Sequence, residues 1–210
     1  MNIHDVYRPF LRFFRTRRMA LFVRLFALTD ADRIVDMGGS PFNWGLISQH
    51  PHITLVNITG PDWERDRMRM LTYDGRHAPF PDNSFDICYS NSVIEHVGGA
   101  EEMRIFAGEI RRLAPAYYVQ TPNLWFFVEP HFLSVFLHWL PNRIKRRLFR
   151  YFSIWGLVTK PSLEHIDRTI SDINLLTVAD MRELFPDAKI LRERFLGMTK
   201  SIIAVRIPKR

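Results

Sequence analysis

The chain has 210 residues, of which 47% are hydrophobic and 24% are charged, and its formal net charge is +7. This balance excludes a disordered chain, and the length is enough for one domain, 1–210, with a substantial core. The single cysteine, Cys88, excludes an internal disulfide and is typical of a reducing compartment, so we expect a cytoplasmic protein.

A basic helix is predicted over residues 8–28, because apolar residues recur there at helical spacing with arginines between them. These arginines interrupt the apolar stretch, which is therefore not typical of a signal peptide. No uncharged apolar run in the sequence reaches the roughly 18 residues of a membrane-spanning helix. The basic residues of this segment are Arg8, Arg12, Arg15, Arg17, Arg18 and Arg24.

Strands alternate with helices along most of the chain, and this order is typical of a mostly parallel sheet with helices on both faces. Gly197 separates the last two strands, which we expect to form an antiparallel hairpin at the sheet edge. The predicted strands are 34–36, 53–57, 71–73, 85–89, 117–120, 189–195 and 201–207, and the predicted helices are 44–49, 63–70, 100–113 and 178–185.

Residues 124–172, here called the insertion, interrupt this alternation, contain no convincing strand and are rich in aromatic residues. We expect the insertion to act as a lid or as a docking surface, and its mixture of basic and apolar residues favours peripheral contact with an anionic membrane. Nucleic acid is not an expected partner, because the chain has neither an RNA-recognition signature nor zinc-finger spacing. The basic cluster of the insertion consists of Arg143, Lys145, Arg146, Arg147 and Arg150.

Glycine and short polar residues follow each of the first four predicted strands of the parallel sheet. Ligands of open α/β sheets bind beyond the carboxyl ends of the strands, so these residues predict a site for one elongated ligand. Adjacent glycines directly after a strand favour close approach of the backbone to that ligand, although a tight strand-to-helix turn would also explain them. The residues are Asp36, Gly38, Gly39, Asn57, Asp74, Gly75 and Asn91.

The run "DGRHAPFPDNSFDICYSNSVIEHV", residues 74–97, resembles the corresponding stretch of class I S-adenosylmethionine-dependent methyltransferases of the type 11-like group. "EIRRL" at 109–113 and "TPN" at 121–123 resemble a later helix and strand end of the same family. The resemblance covers roughly residues 30–123 and resumes in the final hairpin. It implies a Rossmann-like fold with a seven-stranded sheet, and S-adenosylmethionine as cofactor.

The resemblance also implies a role for each residue at the strand ends. Asp36 corresponds to the residue that orients the methionine amino group, Asn57 to the ribose reader and Asn91 to a contact at the methionine end. Gly38 and Gly39 form the loop that approaches the cofactor, and Asp74 with Gly75 lies at the adenine.

Two departures from the family pattern bear on cofactor binding. The family loop usually reads D-x-G-x-G-x-G, whereas Ser40 and Phe42 stand at its second and third glycine positions. The ribose reader is usually acidic, whereas Asn57 is neutral, although an amide can still donate to and accept from a diol.

A hydroxyl acceptor needs a base with a pKa near neutrality, so His96 and His131 are the predicted catalytic residues. Glu95-His96 also has a structural interpretation, in which His96 donates to a backbone carbonyl. No metal site is expected, because Glu129, His131, His138 and His165 lack a compact ligand spacing.

The predicted function is methyl transfer to an acceptor that the sequence does not identify, such as a small molecule or a lipid-linked glycan intermediate. One alternative is a non-catalytic protein that retains the methyltransferase fold, because the glycine loop departs from the pattern. A nicotinamide-dependent oxidoreductase is another, but its loop would prefer G-x-G-x-x-G where Pro41 and Phe42 stand here.

Overall fold

The structure is a computed structural model that describes residues 3–208, with side chains described from residue 12 onward. The helix predicted over 8–28 is α1, Ile3–Phe26. The side chain of Arg8, one of the basic residues of the predicted helix over 8–28, lies outside the described residues. Among the described helices, none is both long enough and apolar enough to cross a membrane.

Eight strands form one sheet, and its central five are parallel to one another. The strands of this sheet are β1 (Arg33–Met37), β2 (His52–Asn57), β3 (Trp63–Arg65), β4 (Met68–Thr72), β5 (Ile87–Asn91), β6 (Ala116–Pro122), β9 (Lys189–Phe195) and β10 (Met198–Arg206). Their spatial order is β3-β4-β2-β1-β5-β6-β10-β9, and β10 runs antiparallel to both β6 and β9. The mostly parallel sheet with a C-terminal antiparallel hairpin is therefore confirmed, with eight strands instead of seven.

The eighth strand arises where the sequence analysis predicts a helix over 63–70, and that prediction is wrong. β3 and β4 form a tight antiparallel hairpin in which Arg65 pairs with Met68. Asp66 takes a positive φ of 51° in the turn, a conformation that aspartate tolerates better than most residues. β4 pairs with β2 along its whole length, so sheet hydrogen bonds override a pattern that fits both a helix and an edge strand.

The helix predicted over 44–49 is also wrong, because the helix after β1 is the four-residue α2, Pro41–Trp44. Proline suits the first helical turn, and the chain turns at Gly45 immediately after the helix. The short helix places Trp44 in the core, where its indole nitrogen donates to Asp36 over 2.9 Å.

Helices cover both faces of the sheet. On one face, α1 buries Met19 and Phe22 against β1, β5 and β6. The other face is covered by α3 (Ala100–Leu113) and α7 (Val178–Leu184), with Phe106 and Ile110 of α3 completely buried. The bounds of α3 agree with the predicted helix over 100–113, whose apolar residues recur at helical spacing.

The insertion has its own small core beside the main sheet. Its elements are the hairpin β7 (Val128–Glu129) with β8 (Ser134–Val135), and the helices α4 (Asn142–Phe152), α5 (Ile154–Thr159) and α6 (Leu163–Ser171). Phe132, Leu137, Phe149 and Ile166 form the buried cluster that holds these elements together. The amide of Asn174 donates to the Glu95 carbonyl over 2.8 Å and attaches the end of the insertion to the segment after β5.

Buried Arg18 connects α1 to four strands of the sheet, β5, β6, β9 and β10. Its guanidinium donates to Glu193 (2.8 Å), Gln120 (2.9 Å), Ser201 (3.1 Å) and Asn91 (3.2 Å). The side chains of Arg18 and Glu193 are only 8% and 14% exposed, so removal of the guanidinium would leave a largely buried carboxylate.

We expect Arg18→Gln to lower the free energy of unfolding by about 3 kcal/mol, near the lower end of the values for breaking a buried ion pair. The lower end applies because Lys200 lies 3.4 Å from Glu193 and still faces the carboxylate. Urea unfolding measures the change, and exposed Arg24→Gln on the same helix is the control, with an expected change within about 0.5 kcal/mol. Equal changes in the two variants would contradict a structural role for the Arg18 contacts.

Candidate functional site

The predicted cofactor residues meet at one edge of the sheet. β1, β2, β4 and β5 are parallel neighbours, so their carboxyl ends lie together. Asp36, Asn57 and Asn91 lie at the ends of β1, β2 and β5, and Asp74 follows β4.

The two glycines after β1 are required by contacts within the protein. Gly38 has a positive φ of 77°, and a Cβ at this position would lie 2.5 Å from a methyl group of Val93. A Cβ on Gly39 would lie 2.0 Å from the carboxylate carbon of Asp36. The tight-turn interpretation therefore has a direct physical basis, and it is compatible with close approach of a ligand to the same loop.

Asp36 is a completely buried carboxylate with one oxygen unsatisfied. Its Oδ2 accepts the hydrogen bond from Trp44, while Oδ1 has no hydrogen-bond partner among the described residues. Burial raises the pKa of Asp36 to about 7, against the opposing effects of the Trp44 hydrogen bond and the Arg15 charge. An unpaired buried acceptor beside a glycine loop is a place where an N–H group would be stabilised.

Asn57 connects β2 to the glycine loop. Its side-chain amide donates to the Gly39 carbonyl over 3.3 Å, and its side-chain oxygen accepts from the Ile58 backbone over 2.8 Å. One amide hydrogen is left over for a ligand, because an NH₂ group carries two donors.

Asp74 forms a turn and an ion pair with the same residue. Its Oδ1 accepts from the Arg76 backbone over 2.9 Å, and the Arg76 guanidinium lies 2.6 Å from Oδ2. The Arg76 hydrogen bond lowers the pKa of Asp74, so the carboxylate is charged and able to accept. Gly75 packs tightly, since a Cβ there would lie 3.0 Å from the ring of Phe106 and 3.2 Å from Met37.

Asn91 lies on the α1 side of β5, where its side-chain oxygen accepts from Arg18 over 3.2 Å. Its amide nitrogen is therefore the group left to face a ligand. The sequence analysis did not identify this contact, because Arg18 and Asn91 are 73 positions apart.

The two predicted catalytic histidines face each other. The Nε2 atoms of His96 and His131 are 3.0 Å apart, although 35 residues separate them in the chain. His96 lies in the 3-10 helix directly after β5, and His131 follows β7 in the insertion. The sequence analysis named both residues and gave no indication that they touch.

Two buried glutamates surround this histidine pair. Glu129 accepts from the ring Nδ1 and the backbone amide of His131, which leaves Nε2 of that ring to face His96. Glu95 is completely buried, accepts from Thr121 over 2.9 Å, and has its other oxygen, Oε1, 3.9 Å from His131 Nε2. That oxygen has no hydrogen-bond partner among the described side chains and backbone.

The carboxylates change the acid–base properties of the site. Burial raises the pKa of Glu95 to about 7. Burial would lower the pKa of His131, but the hydrogen bond and charge of Glu129, together with the charge of Glu95, raise it overall. Burial and the neighbouring His131 lower the pKa of His96, so the two imidazoles have unequal proton affinities.

A cavity of about 200 Å³ lies inside the insertion and shares Glu129 with this cluster. Its wall is mostly apolar, with Lys145 as a cationic group. Ser134 Oγ and His138 Nδ1 line the cavity and lack hydrogen-bond partners among the described residues. The other histidine of the insertion, His165, stacks on Trp155 with ring centroids 5.4 Å apart and lies outside the cluster.

Residues 52–115 match the family described as "Methyltransferase domain". A comparison with curated protein sequences found no match to the chain.

Solved structures resemble the chain in fold. An S-adenosylmethionine-dependent methyltransferase from Methanosarcina mazei has 14% identity and a TM-score of 0.53 over 90% of this chain and 98% of that chain. A Rhodobacter sphaeroides protein named for Zn-dependent alcohol dehydrogenases has 13% identity and a TM-score of 0.58, over 90% and 88% of the two chains. The chain spans only 44% of the [4+2]-cyclase SpnF, which it matches over 50% of its own length with 19% identity and a TM-score of 0.41.

These low identities carry information about the fold alone, while the domain match adds sequence evidence for the central part of the chain. The domain match over residues 52–115 and the fold together support a class I S-adenosylmethionine-dependent methyltransferase, a family whose cofactor is S-adenosylmethionine.

Proposed function

We propose that the protein transfers a methyl group from S-adenosylmethionine to an acceptor held against the histidine pair, His96 and His131. The observation that carries this proposal is the convergence of His96, His131 and Glu129 beside the carboxyl edge where the cofactor residues meet. A fold retained without catalysis would not require two histidines from distant segments to face each other over 3.0 Å.

The residues at the carboxyl edge fit the cofactor. The unpartnered Oδ1 of Asp36 suits the methionine amino group, and the free amide hydrogens of Asn57 and Asn91 suit the ribose and the methionine end. Asp74 is ionised and can accept from the adenine amine. When bound, S-adenosylmethionine supplies an activated methyl group on a positively charged sulfur.

The histidine pair prepares the acceptor. Methyl transfer is a displacement in which the acceptor atom must lie in line with the methyl group, so positioning supplies much of the rate. Glu129 fixes the orientation and tautomer of His131, as a carboxylate does in other histidine-based sites. His131 and His96 then hold the acceptor group and assist loss of its proton.

The acceptor is proposed to enter through the insertion. The cavity behind Glu129 is large enough for a small apolar group and offers Ser134, His138 and Lys145 to a polar or anionic substituent. The helix α4 presents Arg143, Arg147 and Arg150 on one exposed face, and exposed apolar side chains lie beside them. This surface supports an amphiphilic, anionic acceptor and peripheral contact with an anionic membrane.

Two experiments, cofactor binding and label transfer, separate this proposal from its two alternatives. If S-adenosylmethionine raises the melting temperature and NADH does not, the nicotinamide-dependent oxidoreductase is excluded. The name of the Rhodobacter sphaeroides protein does not favour that alternative, because its likeness to this chain is one of fold. A non-catalytic protein would bind the cofactor or fail to bind it, but would transfer no label to any acceptor.

Asp74→Asn is expected to weaken S-adenosylmethionine binding by about 1–3 kcal/mol, because it replaces a charged acceptor of the adenine amine. Isothermal titration calorimetry measures the affinity. Asp86→Asn is a matched control, since Asp86 also pairs with an arginine, Arg33, but at the amino ends of the parallel strands. No binding by the wild type at millimolar cofactor, or equal losses in both variants, would contradict the cofactor site.

His131→Ala is expected to reduce methyl transfer by roughly 10²–10⁴-fold, the usual contribution of a positioned acid or base, and to leave cofactor affinity unchanged. The assay incubates the protein with methyl-labelled S-adenosylmethionine and fractionated cell extract, and follows label in the fraction that the wild type modifies. His165→Ala, an exposed histidine of the insertion, should retain full transfer. If the wild type labels no fraction, the catalytic proposal is wrong.

The protein is expected to sediment with phosphatidylserine-containing vesicles at low salt and not with neutral vesicles, since each basic residue near an anionic surface contributes roughly 1 kcal/mol. Reversal of Arg143, Arg147 and Arg150 to Glu should abolish sedimentation. Arg146 is left unchanged, because it pairs with Asp167 over 2.8 Å.

The matched control reverses three exposed basic residues outside the insertion, so that the net charge changes equally. These are Arg182, Lys189 and Arg194. Equal loss in both triple variants would assign the binding to net charge and not to α4, and no binding by the wild type would refute membrane contact.

A further inference from the structure

We propose that Glu95, His96 and His131 bind one divalent transition-metal ion. One donor atom from each residue lies within 4.8 Å of the other two, which makes these three residues, here called the donor cluster, a compact ligand set. The sequence does not predict this site, because His131 belongs to the insertion and is 35 positions from His96.

The distances suit an ion at the centre of the cluster. Zinc–nitrogen bonds are about 2.0–2.1 Å, so two nitrogens that share a zinc ion at angles of about 90–109° lie about 2.8–3.4 Å apart. The Nε2 atoms of His96 and His131 are 3.0 Å apart, and Glu95 Oε1 is 3.9 Å from His131 Nε2. Small side-chain rotations would bring all three donors to bonding distance.

Hydrogen bonding within the protein does not satisfy all three ligand atoms of the donor cluster. A single proton between the imidazoles satisfies their mutual contact, but it leaves the buried Oε1 of Glu95 without a partner. Glu129 adds a second buried carboxylate on the far side of His131. A dication would satisfy Oε1, engage both ring nitrogens and balance the charge of the two carboxylates.

His131 also has the outer partner that metal-binding histidines usually have. Glu129 accepts from His131 Nδ1, so the nitrogen that faces the cluster is free to bind. This contact orients the ring of His131 before any ion arrives.

The donor types select the class of ion. Two imidazoles and one carboxylate favour Zn²⁺, Co²⁺ or a similar transition metal, whereas Mg²⁺ prefers a set of oxygen ligands. Three protein ligands leave at least one coordination position open, and His96 is exposed, so a substrate oxygen can reach the ion.

The use of the ion rests on the proposed methyl transfer, although binding of the ion does not. With the ion bound, the two histidines would hold the ion in place of the acceptor group, and the dication would coordinate an acceptor hydroxyl and lower its pKa. The substrate class is then an acceptor that can coordinate through oxygen.

The test titrates Zn²⁺ and Co²⁺ into the full chain after dialysis against a chelator, without cofactor or acceptor. We expect one Zn²⁺ per chain by elemental analysis, a visible absorption band on addition of Co²⁺, and no comparable binding of Mg²⁺. His131→Ala and His96→Ala should each lose more than tenfold in Zn²⁺ affinity, and Glu129→Gln should lose roughly 10–100-fold because it removes an outer partner. The melting temperature of each variant without metal shows whether it is folded, and exposed His96 is the safer site should His131→Ala fail to fold.

His52→Ala is the matched control, since His52 is an exposed histidine at the start of β2, on the opposite edge of the sheet. It should bind Zn²⁺ as the wild type does. Failure of the wild type to bind Zn²⁺ or Co²⁺, or unchanged affinity in both histidine variants, would overturn the proposal. Because no cofactor is present, failure of S-adenosylmethionine binding leaves this result intact, and failure of metal binding leaves the cofactor site intact.

Discussion

The buried carboxylate of Asp36 determines the shape of the loop after β1. Its Oδ2 holds Trp44 in the core, and the carboxylate occupies the volume that any side chain at position 39 would need. The helix that follows this loop has only four residues. The amide of Asn57 then fixes the Gly39 carbonyl, so the first two strands and their loop form one connected unit.

The proposed site divides into a cofactor half and an acceptor half, which the fold supplies in different ways. The cofactor half consists of strand ends, whose relative positions follow from parallel pairing of β4, β2, β1 and β5. The acceptor half needs the insertion, because β7 is the element that carries Glu129 to the end of the sheet and His131 follows it. The family resemblance thus covers the cofactor half, whereas the acceptor half depends on the insertion.

The sequence predicts the regular part of the fold well. The central strands are apolar runs followed by glycine or short polar residues, and α3 has one apolar face, so local pattern and tertiary packing agree there. They disagree at 63–72, where a helix is predicted over 63–70. Met68 and Met70 alternate there with Arg67 and Arg69 as in a strand, and pairing with β2 favours β4 and then β3.

The contacts of the site could not be predicted in the same way. His96 and His131 were found by residue type and position, but their contact depends on how the insertion folds back over β5. Glu95 could be interpreted as structural because it follows the strand directly, and only its unpartnered oxygen in the structure indicates otherwise. The Arg18 contacts are equally remote in sequence, since they join α1 to strands at the other end of the chain.

Glu129 is a wall of the cavity and also the hydrogen-bond partner of His131. A molecule that enters the cavity and competes for this carboxylate would release the ring, whereas one that leaves it undisturbed would keep the ring aligned. Occupancy of the cavity and alignment of His131 are therefore thermodynamically linked, and by reciprocity whatever fixes His131 changes the affinity of the cavity by the same factor. Glu129 would then discriminate among the molecules that enter the cavity, although it need not touch the atom that is methylated.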